Sequence, residues 1–149
     1  MKRSPALQPL SRDHHQALFA ALRLRRATPA DAKGAVEHFL EFWAEHGRLH
    51  FQIEEELLLP GFVRGGGDPH DPLIAKVLTD HVEIRADAHR LSADSPLDVL
   101  HELGERLAEH VRLEEDEVFP LIECTLDAGV LATLGAKMER AESARTPTP

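Results

Sequence analysis

Two stretches of the chain share one grammar: a histidine, an apolar residue three positions on, a glutamate at four, a run of acids and a proline at ten. They are His50-Phe51-Gln52-Ile53-Glu54-Glu55-Glu56-Leu57-Leu58-Leu59-Pro60 and His110-Val111-Arg112-Leu113-Glu114-Glu115-Asp116-Glu117-Val118-Phe119-Pro120. Residues four apart on a helix are stacked neighbours, so each stretch can aim an imidazole and a carboxylate at one point. Two such helices face to face present the donor set of a paired metal site. Composition alone predicts about 1.7 pairs at this spacing, and the chain has three. The third, His101 with Glu105, lies about 180° round the helix from His110 and Glu114 and is expected to face water.

The elements that must position these groups follow from apolar periodicity. The first helix is expected from Pro9 to about Arg26, with Leu10, Leu18, Leu22 and Ala17 or Ala21 inward. The second runs from about Asp31 to Leu59, with Gly47 as its weak point and Pro60 ending it. A Gly-Pro-rich loop leads to Pro72, and the third helix takes Leu73, Ile74, Val77, Leu78, Ile84, Ala88 and Leu91 inward. Ser95 before Pro96 reads as the cap of a fourth helix reaching about Val118. A short amphipathic piece, roughly Thr125 to Glu142, follows, and Ala144 to Pro149 reads as a disordered tail. The expected fold is all-α: an up-down-up-down four-helix bundle with a short C-terminal helix, one domain over 1–143 and a tail over 144–149.

In such a bundle Pro9, Pro60, Pro72 and Pro120 mark one end. Counting inward, His50, His81 and His110 lie ten, nine and ten residues deep, about 14 to 15 Å. Glu54 and Glu114 are six deep, and His14 or His15 five or six, so the set fits within roughly one helical turn. His14 and His15 point about 100° apart, and either can be the helix-one donor. His46 is one turn from His50, as a supporting or channel residue, and His38, His70, His89 and His101 read as surface.

The totals narrow the partners. A net charge of −9 argues against nucleic acid and against an anionic membrane. Met1-Lys2-Arg3 is followed by no apolar run, and no stretch nears 18 apolar residues, so a cytoplasmic place is expected. Cys124 is the one cysteine; it excludes a disulfide framework and reads as a small buried residue.

Together, HFQIEE, HVRLEE, RDHH at 12–15 and DHVEI at 80–84 resemble the hemerythrin-like, His-His-Glu cation-binding family over about residues 9 to 120. The resemblance implies a four-helix bundle holding two iron ions bridged by carboxylates, with oxygen or a related small ligand at an open position. Carried over by position, the metal ligands are His14 or His15, His50, Glu54, His81, His110 and Glu114. The sequence departs from the oxygen carriers at two places. Arg85 stands where they have a second histidine, and Glu114 and Glu115 follow His110 where they use an Asp at five. The site is therefore similar to the His-poorer branch of the family.

Mixed imidazole and carboxylate donors suit iron, with manganese or zinc less favoured. The expectation is a di-iron protein that binds or senses oxygen, nitric oxide or a peroxide. The alternatives are a di-iron enzyme (peroxidase, oxidase or nitrosative-stress repair) or an iron-handling bundle. Oligomeric state is left open.

Overall fold

A computed structural model describes residues 2–144; of the expected tail at 144–149, residues 145–149 lie outside the described residues. Five helices and no strand make up this part of the chain. Helix α1 is Gln8–Arg25, α2 spans 32–64, α3 is Pro72–Arg90, α4 spans 97–125 and α5 is Ala128–Ser143. The first four form the up-down-up-down bundle, and α5 packs on α2 through Leu131, Leu134 and Met138. Among the described residues no helix is long and apolar enough to cross a membrane.

Neither Pro60 nor Pro120 ends its helix, contrary to expectation. In α2 a π-helical turn at Glu54–Leu58 precedes Pro60, and in α4 a π turn at Glu114–Val118 precedes Pro120. Leu59 N–H bonds the Glu54 carbonyl and Phe119 N–H the Glu114 carbonyl, five residues back. In an unbroken α-helix each proline would lack a hydrogen bond and press on the carbonyl four residues back; the widened turn relieves that clash and lets the helix continue to Arg64 and Thr125. A third π turn, Trp43–Gly47, takes up the weak point at Gly47.

The inward face of α1 also differs from the expected one. Leu18 and Leu22 are exposed, at 41% and 37%, while Leu10, His14, Ala17, Ala20, Ala21 and Leu24 are buried. The reason is close packing against α4: a Cβ at Gly104 would lie 2.7 Å from the Ala21 carbonyl oxygen. The alanines let the two backbones approach, which leucines in their place would prevent. Leu78 is likewise exposed, Cys124 is exposed rather than buried, and the cap of α4 is Pro96, with the Ser95 hydroxyl accepting from Ser92 N–H instead.

The core falls into two apolar clusters. One, at the proline end, gathers Leu7, Ile53, Leu58, Phe62, Val77, Phe119 and Ile122; the other, at the far end, gathers Leu24, Phe39, Ile84, Leu100, Leu103 and Leu107. Burial of side chains this size stabilises the fold by about 1.5 to 3 kcal/mol each. Between the two clusters lies a polar layer.

Candidate metal centre

That layer contains every buried polar or charged residue described: His14, His50, Glu54, Asp80, His81, His110 and Glu114. Each bundle helix contributes. Helix α1 brings His14, α2 His50 and Glu54, α3 His81, and α4 His110 and Glu114. Six of the seven residues named from the sequence thus meet in one layer. The seventh, His15, is exposed in a groove between α1 and α2, so His14 is the helix-one histidine of the cluster.

The four imidazoles are held in one way. At each Nδ1 stands a carboxylate: Glu115 at 2.7 Å from His14, Asp13 at 3.0 Å from His50, Glu55 at 2.7 Å from His81 and Asp80 at 3.1 Å from His110. An ionised carboxylate only accepts, so each Nδ1 donates, and in the neutral ring each Nε2 is left with a lone pair. Those Nε2 atoms lie 2.8 to 3.3 Å from Glu54 and Glu114: His50 and His81 against Glu54, His14 and His110 against Glu114. The contacts are close but lack hydrogen-bond geometry, and all four Nε2 atoms, both Glu54 oxygens and Glu114 Oε1 are buried without a partner. Acceptors crowded together in this way need positive charge between them, as protons on the rings or as a metal cation.

The donors divide into two sets whose atoms lie within 4.8 Å of one another: His14, His50, Glu54 and Glu114, and Glu54, His81, His110 and Glu114. Both glutamates belong to both sets, and this layout places two histidines in each of two adjoining positions with two shared carboxylates.

Electrostatics agree with the geometry. Burial pulls the His50 imidazole down, but the Glu54 charge and the hydrogen bond to Asp13 outweigh it and hold its pKa well above the usual value. His14 is raised against burial by Glu114 and Glu115. His110 is raised against burial by Glu114 and Asp80 to about 10. Glu114 is held well below the usual carboxylate range, against burial, by His110 and His14, and Glu115 falls to about 2, chiefly through its bond from His14. A site that draws protons this strongly without a metal is one built for positive charge.

The backing acids Asp13, Asp80, Glu55 and Glu115 were visible only in part beforehand. Aspartate precedes histidine at 13–14 and 80–81, but each aspartate serves the histidine of another helix: Asp13 that of α2, Asp80 that of α4. Glu55 and Glu115 follow the shared glutamates inside the π turns. The widened turn keeps Glu54 against His50 while bringing Glu55 against His81, a pairing that ideal helical geometry does not predict. Three backing acids hold a cation in turn: Arg3 on Glu115, Arg85 on Glu55 and Lys76 on Asp80. Arg85 also lies 5.7 Å from the centre of the Phe51 ring, which stacks on His81 at 3.8 Å. His46 is part-exposed and lines a small cavity beside His14 and His50. His101, expected at the surface, is half-buried, with Nε2 2.9 Å from the Ala27 carbonyl oxygen.

Fold and site together define a helical bundle with a buried His and Glu cluster suited to holding metal cations. Residues 9–122 match the hemerythrin HHE cation binding domain, and the chain belongs to that family. Comparison with curated proteins and with solved structures finds no match.

Proposed function

We propose that this is a non-haem di-iron protein that binds or senses a small ligand, oxygen, nitric oxide or a peroxide, in the bundle core. The observation that carries the reading is the convergence of four partnerless Nε2 atoms on two shared, buried glutamates. His14, His50, Glu54 and Glu114 would hold one ion and His81, His110, Glu54 and Glu114 the other. Charge supports two ions rather than one. The layer's six carboxylates exceed the three cationic side chains bound to their outer members by three charges, more than one divalent ion offsets. Nitrogen and oxygen donors without a thiolate suit iron.

Iron held by these residues would supply redox activity and a Lewis-acidic binding partner for the small ligand. The chain supplies the rest. The backing carboxylates fix which ring nitrogen of each histidine faces inward. Phe51 and Phe119, stacked on His81 and His14, keep water from the rings. The cavity beside His14 and His50 has a volume of about 10 Å³ and apolar walls from Ala17, Phe42, Trp43, Leu107 and Val111. That is room for roughly one water-sized molecule, which supports a diatomic or similarly small ligand. The net charge of −9 supports a small-molecule partner over nucleic acid or an anionic membrane.

The test is anaerobic reconstitution with ferrous iron followed by oxygen or nitric oxide. We expect two irons per chain and a new near-ultraviolet or visible absorption band on adding the ligand. Zinc or manganese in the protein as isolated, with no optical response of the iron form, would overturn the reading. Sustained turnover of hydrogen peroxide would make the protein an enzyme instead.

A further inference from the structure

The four carboxylate-backed histidines differ in what lies outside them. The acids behind His14, His81 and His110 are each paired with a cation, Arg3, Arg85 and Lys76. Only Asp13, behind His50, has no cationic partner among the described residues, and its side chain is 19% exposed. Of the four backing acids, the one on this face is thus the one without a Lys or Arg partner among the described residues.

Next to it runs an open groove between α1 and α2, walled by His15, His38, Glu41, Glu45 and His46, with Phe19 and Phe42. Five of these are groups that bind divalent metals. His46 and Phe42 also wall the inner cavity, whose other side is formed by Asp13 and by His14 and His50 with their buried, partnerless Nε2 atoms. The third π turn, Trp43–Gly47, holds no buried glutamate but does hold His46, one turn before His50. Phe42 and His46 line both the groove and the inner cavity, and of the two only His46 is polar. A groove whose donors pass from exposed (His15, Glu41, Glu45) through half-buried (His38, His46) to buried (His14, His50) is a gradient of affinity. The Coulomb field along it favours inward movement of a cation.

We propose that the α1–α2 groove is the loading port of the centre: His15, His38, Glu41 and Glu45 capture a divalent cation at the surface, and His46 passes it beyond Phe42 to Asp13 and the His14–His50 pair. The inference rests on the two-metal reading above and adds a route and a direction to it.

The test is the rate at which the metal-free protein takes up cobaltous ion, followed by stopped-flow visible absorption at low salt, with bound metal counted at the end. In Glu41→Gln/Glu45→Gln/His46→Ala we expect uptake to slow at least about tenfold, with the final count unchanged at two. The control is Glu102→Gln/Glu109→Gln, which removes the same two acidic charges from the groove between α3 and α4, beside the Lys76-capped Asp80. It is expected to load at the parent rate. Equal slowing in both variants, or no slowing in the first, would overturn the port. A parent protein that does not hold two ions at equilibrium would overturn the di-metal reading itself, an outcome separate from either rate.

Discussion

The two halves of the metal layer have the same donors and different surroundings. On the α3–α4 side, His81 is covered by the stacked Phe51 ring, and the acids behind His81 and His110 are bound by Arg85 and Lys76. On the α1–α2 side, His14 and His50 border a cavity, and Asp13 stands without a cation. The histidine and glutamate pattern makes the halves chemically alike, so the difference between them is one of access. A coordination set defines what can bind, and the residues one layer further out define from which side.

Breaking the shared part should have the largest effect. Glu54→Ala removes a donor from both sets and should reduce bound metal from about two per chain to below one. His81→Ala, which touches one set, should leave about one. Metal analysis after equilibrium dialysis distinguishes them. Chelation of the parent should lower its melting temperature by about 10 °C, as expected for a ligand present near 1,000 times its dissociation constant.

Uncovering the closed side is next. Phe51→Ala should destabilise the protein by about 3 to 5 kcal/mol, read by urea denaturation, and should open a second route to the centre beside His81. The backing acids come after: Asp13→Asn or Glu55→Gln should each weaken metal binding by about 10- to 100-fold, measured by competition with a chelator.

The dependence on pH separates the empty layer from the filled one. In the metal-free protein the folded pKa of His110 is about 10 against a usual 6.5, and His14 and His50 are raised as well. These groups stabilise the folded state fully below about 6.5, and that stability is lost as pH rises toward 10. The metal-loaded protein should behave in the opposite way, because protons compete with metal for the same Nε2 atoms and acid releases it. Urea midpoints across pH 6 to 10, with and without metal, should therefore diverge. The smallest effect is expected at Arg85→Ala. The Arg85 side chain is 39% exposed, and loss of its ion pair with Glu55 should cost no more than about 1 kcal/mol in the metal-free form.

Several features were legible in the sequence for physical reasons that act locally. Helix count, bundle order and the inward aim of His50, Glu54, His110 and Glu114 all follow from the 3.6-residue period, which depends only on the backbone. His81 came into the layer by its distance from Pro72, which is a count along one helix. Where the count depended on how helices approach each other, it misled. Leu18 and Leu22 satisfied the periodicity of α1 as well as Ala17 and Ala21 did, and only the close contact at Gly104 decides for the alanines.

The π turns lay beyond local reading as well. The two prolines signal helix ends by their chemistry, and continuation through a widened turn is stable only because Phe62, Phe119 and Ile122 find a core to enter beyond it. What the sequence by itself determined was the set of donors and their shared level, because those follow from helix geometry. The choice of His14 over His15, the acid behind each histidine and the contrast between a covered and an open side were decided by tertiary structure alone. Each depends on a side chain from a different helix, at sequence separations from 26 to 101 residues, and no periodicity within one helix contains that information.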